Sequence, residues 1–284
     1  MMIRKISKSW KGTRTVDGAG VKLTRIFSNN ETRELDPFLL LDQFGSKNPE
    51  DYLAGFPWHP HRGIETVTYM IRGEVEHGDS LGNKGVIRSG DIQWMTAGSG
   101  IIHQEMPKRY EGESFGFQLW VNLPSKKKMC EPKYRGLVAK DLPEIEISKG
   151  VRAKVIAGKA GKKQGPVRDL AVDITYIDFT LDPGALLVQD TDEAHTAFAY
   201  VFEGDVKFGE NGGSSSAPGI VLFGKGKTVK ATAGKKGARF MLATGKPLRE
   251  PIAWGGPIVM NTEEELELAF EELRNGTFIK ARKK

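Results

Sequence analysis

Two stretches of this chain are versions of one another. Thr68-Tyr-Met-Ile-Arg-Gly-Glu-Val-Glu-His-Gly-Asp79 aligns without gaps on Ala199-Tyr-Val-Phe-Glu-Gly-Asp-Val-Lys-Phe-Gly-Glu210, 131 residues further on. Tyr69/Tyr200, Gly73/Gly204, Val75/Val206 and Gly78/Gly209 are identical, and Glu74/Asp205 and Asp79/Glu210 keep their charge. A chain that repeats itself at such a distance folds as two related units. Each copy reads as strand, glycine turn, strand, the hairpin logic of a barrel or jelly roll that closes to remove its edges.

The rest of the sequence agrees with an all-β reading. The 34 glycines mostly separate short runs rich in Val, Ile, Phe, Tyr and Thr, as closely spaced turns do. The clearest strand is Phe115-Gly-Phe-Gln-Leu-Trp-Val-Asn-Leu123, apolar at every second residue, with Gly116, Gln118, Trp120 and Asn122 on the other face. Further strands are expected at 66–71, 86–88, 92–95, 172–181, 196–202, 206–208, 220–223 and 239–243. One helix is expected at about 262–275: Thr262 to Glu265 forms a capping box, Leu266, Ala269, Phe270 and Leu273 recur at helical spacing, and Gly276 can close it. Pro124, Pro132 and Pro143 mark the connection between the halves. The expected division is 1–130 for a metal-binding N-terminal domain and 131–284 for a C-terminal domain without metal that ends in the helix.

Several function classes recede on composition. The single Cys130 cannot form an internal disulfide or a thiolate cluster, which fits a reducing compartment. The net charge of +6 comes from scattered lysines. Lys126–Lys128, Lys225 to Lys230 and Lys235–Lys236 read as solvated turns without interleaved aromatics, so no direct nucleic-acid binding is expected. The basic tail, Lys280 to Lys284, reads as a frayed terminus, with a nuclear address as the alternative. No apolar run approaches the length of a membrane span, and none follows the basic N-terminus. A cytoplasmic protein is expected.

The chemistry concentrates in five histidines. His59 and His61 flank Pro60, which excludes a helix, so both imidazoles project to one side of an extended segment. His103 and Glu105 form a second i, i+2 pair 42 residues after His61, behind the turn Ala97-Gly-Ser-Gly100. A lone histidine is most often a core or surface residue. Two such pairs on neighbouring strands would bring three imidazoles and a carboxylate together, a set suited to Fe, Mn, Ni, Cu or Zn rather than Mg or Ca. A closed structural zinc site is disfavoured, since those usually include cysteine. His77, in the repeated segment, faces Phe208 in the second copy, which points to packing or support of the site rather than ligation. Phe56, Trp58, Trp94 and Met95 could wall a pocket for a flat ligand or fill the core. In the second half His59 and His61 map to Asp190 and Asp192, and Arg239 and Met241 fall at the other ligand positions.

Three segments, 59–69, 90–107 and 255–262, resemble the pirin family, and the likeness runs along nearly the whole chain. Pirins are bicupins, so the resemblance implies two tandem cupin (jelly-roll) β-barrel domains with a C-terminal helix. It implies one metal site, at His59, His61, His103 and Glu105. In the wider cupin pattern a glutamate at the position of Glu65 is a ligand; in pirins the carboxylate comes from the second segment, so Glu65, beside Arg62, is expected to support the site or form an ion pair. The cofactor implied is one divalent transition metal, Fe2+ first, with Ni2+, Cu2+, Mn2+ and Zn2+ as alternatives. Some relatives are quercetin 2,3-dioxygenases, which implies a flavonol and O2 as substrates and Glu105 as catalytic base. Others are non-enzymatic, metal- and redox-responsive regulators that bind a protein partner such as a transcription factor complex, and the ligand set fits both.

Overall fold

Outer strands such as Leu186–Asp190 alternate buried and exposed side chains, whereas central strands such as Ile64–Arg72, Ile92–Thr96 and Gly219–Phe223 are buried on both faces. The computed structural model describes residues 2–209 and 213–280; the expected terminal address at 281–284 lies outside them. The chain forms two compact units, and neither is a contiguous half of the sequence. One comprises Met1–Gly12, Arg33–Pro37 and Lys140–Pro247, the other Thr13–Thr32, Phe38–Ala139 and Leu248–Lys284. A single boundary near residue 130 therefore misses an exchange of ends. The first strand, Ile6–Trp10, pairs with Gly219–Phe223 of the later half, and the terminal helix Glu263–Arg274 belongs with the earlier half. Among the described residues no helix is long and apolar enough to cross a membrane.

The unit built mainly from the later half is one nine-stranded sheet and a two-stranded ribbon. Its interior is apolar. Val151, Ala153 and Val155, Ile177, Phe179 and Leu181, and Phe240 and Leu242 each occupy alternate positions of their strands and meet in one core. Arg239 and Met241 occupy the intervening positions, on the opposite face from Phe240 and Leu242. The Arg239 guanidinium pairs bidentately with Asp178 at 2.6 and 3.1 Å and lies over Phe202. These two residues do not occupy inward ligand positions: Thr232-Ala-Gly234, the counterpart in sequence of the Thr96-Ala-Gly98 turn before His103, is no turn but lies inside the 18-residue strand Thr228–Gly245.

The other unit sandwiches a seven-stranded and a four-stranded sheet. The larger runs, in spatial order, Lys133–Leu137, Ile92–Thr96, Ile64–Arg72, Phe115–Asn122, Phe38–Phe44, Val21–Phe27 and Thr13–Asp17. The smaller runs Phe56–His61, Ile101–Pro107, Glu74–Asp79 and Lys84–Arg88. All these neighbours are antiparallel.

The repeated segment is a corner rather than a hairpin. Ile64–Arg72 lies in the large sheet and Glu74–Asp79 in the small one, and Gly73 turns between them at φ +108°, a conformation glycine adopts at no steric cost. In the second copy the chain stays a single strand, Thr196–Phe208, whose register shifts on both sides of Gly204, as at a bulge. The terminal helix has the expected capping box, Thr262 accepting from the Glu265 amide and Glu265 reaching back to Thr262. Leu266 and Ala269 pack with Ala253, Ile258, Met260 and Phe278.

Candidate metal centre

Antiparallel pairing of Phe56–His61 with Ile101–Pro107 sets His103 directly opposite His59 and Ile101 opposite His61. Because alternate residues share a face, His59, His61 and His103 converge, and one ligand atom from each lies within 4.8 Å of the others. The Nε2 atoms of His59 and His61 are 3.2 Å apart, and the His103 ring centroid is 4.3 Å from that of His59 and 5.0 Å from that of His61. His103 is fully buried, yet neither of its ring nitrogens has a hydrogen-bond partner. Such orphaned atoms are rare in a protein interior, and three imidazoles facing one another are what a metal ion would satisfy.

Electrostatics keep His61 and His103 neutral. Burial, reinforced by the neighbouring His59, pushes the His61 imidazole down to about 3 against the opposing pull of the Pro257 carbonyl. Burial and the adjacent imidazoles push His103 well below the ordinary histidine value. Neutral nitrogens with free lone pairs are the form that ligates a metal. The His61 Nδ1–H donates to the Pro257 carbonyl at 3.0 Å, and His59 Nδ1 lies 2.9 Å from the Pro57 carbonyl. Both rings thereby present Nε2 to the centre.

Glu105 stands beside this group rather than within it. A register shift between His103 and Glu105 opposes it to Phe56. Its Oε1 lies 2.7 Å from the Thr68 hydroxyl, which is also 2.7 Å from Gln118 Oε1. One hydroxyl proton cannot serve two acceptors. With the Gln118 amide turned over, its NH2 donates to Thr68 and Thr68 donates to Glu105.

The remaining expected residues separate by role. His77 is buried with both nitrogens engaged: Nε2 is 3.3 Å from Asp79 Oδ2 and Nδ1 is 3.1 Å from the Gln93 amide nitrogen. Its ring stacks on Tyr134 and lies 5.5 Å from His103, so it packs against that side chain with no lone pair to offer. Glu65 is buried on Ile64–Arg72 of the larger sheet, accepting from Trp94 Nε1 at 3.0 Å and Thr96 Oγ1 at 2.7 Å. Met95 packs with Leu39, Ile64 and Val259 in the core, and Trp58 is exposed. Of the four expected wall residues only Phe56 lines the cavity beside His59, His61 and Glu105. Arg62 points away from that cavity, to Ser99, Glu272 and Phe278.

Burial pushes the Glu65 carboxyl up, with the Thr96 hydroxyl and the Trp94 indole opposing. A folded-state value above the unfolded 4.5 means the folded chain binds this proton more tightly. The associated stability is present below pH 4.5 and is lost as pH rises through the folded value. Glu65→Gln, uncharged throughout, should therefore gain on the wild type between about pH 5 and about pH 8, and keep full metal content. Denaturant midpoints of both proteins at the two pH values test this; a gap that moves the other way overturns it.

A cavity of about 840 Å³ opens onto His59, His61 and Glu105. Leu40, Phe44, Phe56, Val75, Trp120 and Trp254 form much of its wall, and Trp120 stacks edge-on against His61 at 5.0 Å. The Trp120 Nε1 is buried without a partner. Sequence reasoning missed most of this wall, although the mixed face assigned to Gln118 and Trp120 was its signal.

The Pirin family model matches residues 20–121, and the model described as the pirin C-terminal cupin domain matches residues 176–279. The chain belongs to the pirin family. A pirin-like protein of Caulobacter vibrioides is 43% identical over 98% of this chain and 100% of its own length. A Pseudomonas aeruginosa protein, named provisionally as a quercetin 2,3-dioxygenase, is 43% identical over 92% of this chain and 93% of its own. The crystal structure of a quercetin 2,3-dioxygenase from Acinetobacter baumannii superposes with a TM-score of 0.90 at 34% identity, covering 97% of this chain and 98% of that one. The fold is thus the pirin bicupin, with two cupin domains and a terminal helix.

Lys128 corrects an expectation. Read as part of a solvated turn, it is 2% exposed and donates to Gly63 O, Asn122 Oδ1 and Val259 O at 2.6 to 2.9 Å. Three acceptors match the three protons of an ammonium. The side chain ties the turn after Arg62 to the segment beside Pro257, and so braces the backbone on both sides of the His61 contact.

Proposed function

We propose that this chain holds one divalent transition metal ion through His59, His61, His103 and Glu105, and cleaves a flavonol such as quercetin with O2. The observation that carries the reading is His103, a fully buried imidazole with two unpartnered nitrogens, turned toward two more imidazoles at the wall of a largely apolar cavity. Three neutral nitrogens and one carboxylate suit Fe2+, with Ni2+, Cu2+, Mn2+ and Zn2+ as alternatives. When bound, the ion would supply a Lewis acid and redox centre at which a deprotonated enol and O2 can meet.

The side chains do the remaining work. Pro257 O fixes the tautomer of His61 and holds the ring in place. Glu105 acts as general base for the acidic hydroxyl of the flavonol, and Thr68, 2.7 Å from Oε1, leaves Oε2 to receive the proton. Leu40, Phe56, Trp120 and Trp254 give the cavity an apolar wall for the flat rings of the ligand. Both atoms of O2 enter the opened product, and one ring carbon leaves as carbon monoxide.

Metal-loaded protein given quercetin should consume O2 at an oxygen electrode. Glu105→Gln should lower kcat by roughly 10² to 10⁴, the usual worth of a positioned base. Uptake no faster than that of a Glu105→Ala control would overturn the assignment.

A further inference from the structure

The cavity has two chemically different ends. Thr68, Gln118, Asp42 and Arg25 lie at one level across four adjacent strands, in register Thr68↔Gln118↔Asp42↔Arg25. All four line the cavity. At the usual strand spacing three steps span roughly 14 Å along the sheet. Leu40 and Trp120, directly paired, flank this polar row on one side, and Phe44 flanks it on the other. The row starts at Glu105, beside the imidazoles, through the Thr68 hydroxyl. It ends in an ion pair.

That ion pair is held in place. Arg25 Nε and Nη2 grip Asp42 at 3.0 and 2.7 Å, and Nη2 also reaches Asp17 at 2.7 Å. Burial pushes the Asp42 carboxyl up to about 6, while the Arg25 guanidinium pulls it back. Two carboxylates against one guanidinium leave a formal net negative charge at this end. A negative end repels carboxylate, sulfate or phosphate groups and accepts hydrogen bonds from neutral hydroxyls. The imidazole end has the opposite preference, because a bound cation there attracts an anionic oxygen.

We infer that Asp42, positioned by Arg25, is a specificity determinant that accepts hydrogen bonds from uncharged phenolic hydroxyls at the end of the ligand farthest from the imidazoles. The inference rests on the proposed flavonol reading and adds to it an orientation: the acidic hydroxyl lies at Glu105 and the hydroxylated pendant ring at Asp42. It also names an excluded class, ligands that carry an anionic group on that ring.

The test is calorimetric binding to the metal-loaded full-length protein under anaerobic conditions. Two flavonols are compared, one with two hydroxyls on the pendant ring and one with none. The wild type should bind the first roughly tenfold more tightly, the worth of one hydrogen bond to a charged acceptor. In Asp42→Asn that preference should shrink to within about twofold, while Kd for the unhydroxylated flavonol stays unchanged. That unchanged Kd reports an intact site. If the wild type binds both flavonols equally, or Asp42→Asn keeps the full preference, the assignment of Asp42 fails and the flavonol reading stands. If the wild type binds neither flavonol, the flavonol reading fails, and the Asp42 role with it. A third flavonol with a sulfated pendant ring should bind the wild type at least tenfold more weakly than the unhydroxylated one; binding as tight would also overturn the inference, and this arm needs no variant to fold.

Discussion

His103→Ala is expected to keep less than about a tenth of the wild-type metal after dialysis, since even partners outside the ligand set are worth 10- to 100-fold in affinity. The side chain lies opposite His59 on the neighbouring strand and within 5.0 Å of His61 between ring centroids. Its removal leaves two imidazoles. His77 cannot replace it, because its nitrogens face Gln93 and Asp79. The same substitution should cost the metal-free protein little, of the order of 1–3 kcal/mol for the space left behind. No hydrogen bond is broken, since neither ring nitrogen has a partner. The two effects separate cleanly in a melt. Wild-type protein should gain stability on metal addition, about 2.7 kcal/mol at a hundredfold excess over Kd, and the variant should gain none. Elemental analysis of the dialysed variant is the direct check: about one ion per chain would show that the three-imidazole cluster is not the site.

Much of this centre was legible in the sequence because strand periodicity is local. His59 and His61 must share a face once Pro60 rules out a helix, and the same arithmetic applies to His103 and Glu105. That the two segments are neighbours needed only one pairing, and the structure supplies it. What stayed hidden depends on contacts that no local pattern records. The carbonyl that orients His61 belongs to Pro257, 196 residues away, because the chain returns to the first cupin after completing most of the second. Lys128 looked solvated because charge and neighbouring residues describe the unfolded chain, whereas its three acceptors exist only once Gly63, Asn122 and Val259 are assembled. Gly73 was legible as a turn, but a turn within one sheet and a corner between two have the same local sequence. Asp42 was passed over for a related reason. In Leu39-Leu-Leu-Asp-Gln-Phe44 a single carboxylate among apolar residues shows its partner only when Arg25 is paired across from it.

Arg62→Ala should destabilise the protein by about 3–5 kcal/mol, in the range for removing one partner from a buried charged network. The guanidinium is 2% exposed and its contacts are all in the returning chain or the turn beneath it. Nε donates to Ser99 O at 2.8 Å, Nη2 to Glu272 and Phe278 O at 2.8 Å each, and the plane lies 4.1 Å from the centre of the Phe278 ring. Alanine strands two carbonyls and removes the stacking partner. Glu272 is not stranded, because Lys280 pairs with it at 2.8 Å. The carbonyls should therefore outweigh the ion pair, and Glu272→Gln should cost well under half as much as Arg62→Ala. Lysine should rescue only in part, since it lacks the planar fork that serves Ser99, Glu272 and Phe278 together. The effect should also reach the metal. The backbone of Arg62 is joined to that of Ile258, the residue after Pro257, by a β-bridge, so a shift of the Arg62 backbone once its side-chain anchors are gone moves the carbonyl that orients His61, and metal affinity should fall roughly 10- to 100-fold. Denaturant midpoints and competition with a metal indicator measure the two losses separately. Equal costs for Arg62→Ala and Glu272→Gln would place the energy in the ion pair, and unchanged metal affinity in a folded Arg62→Ala would show that Pro257 holds His61 without help from the terminal segment.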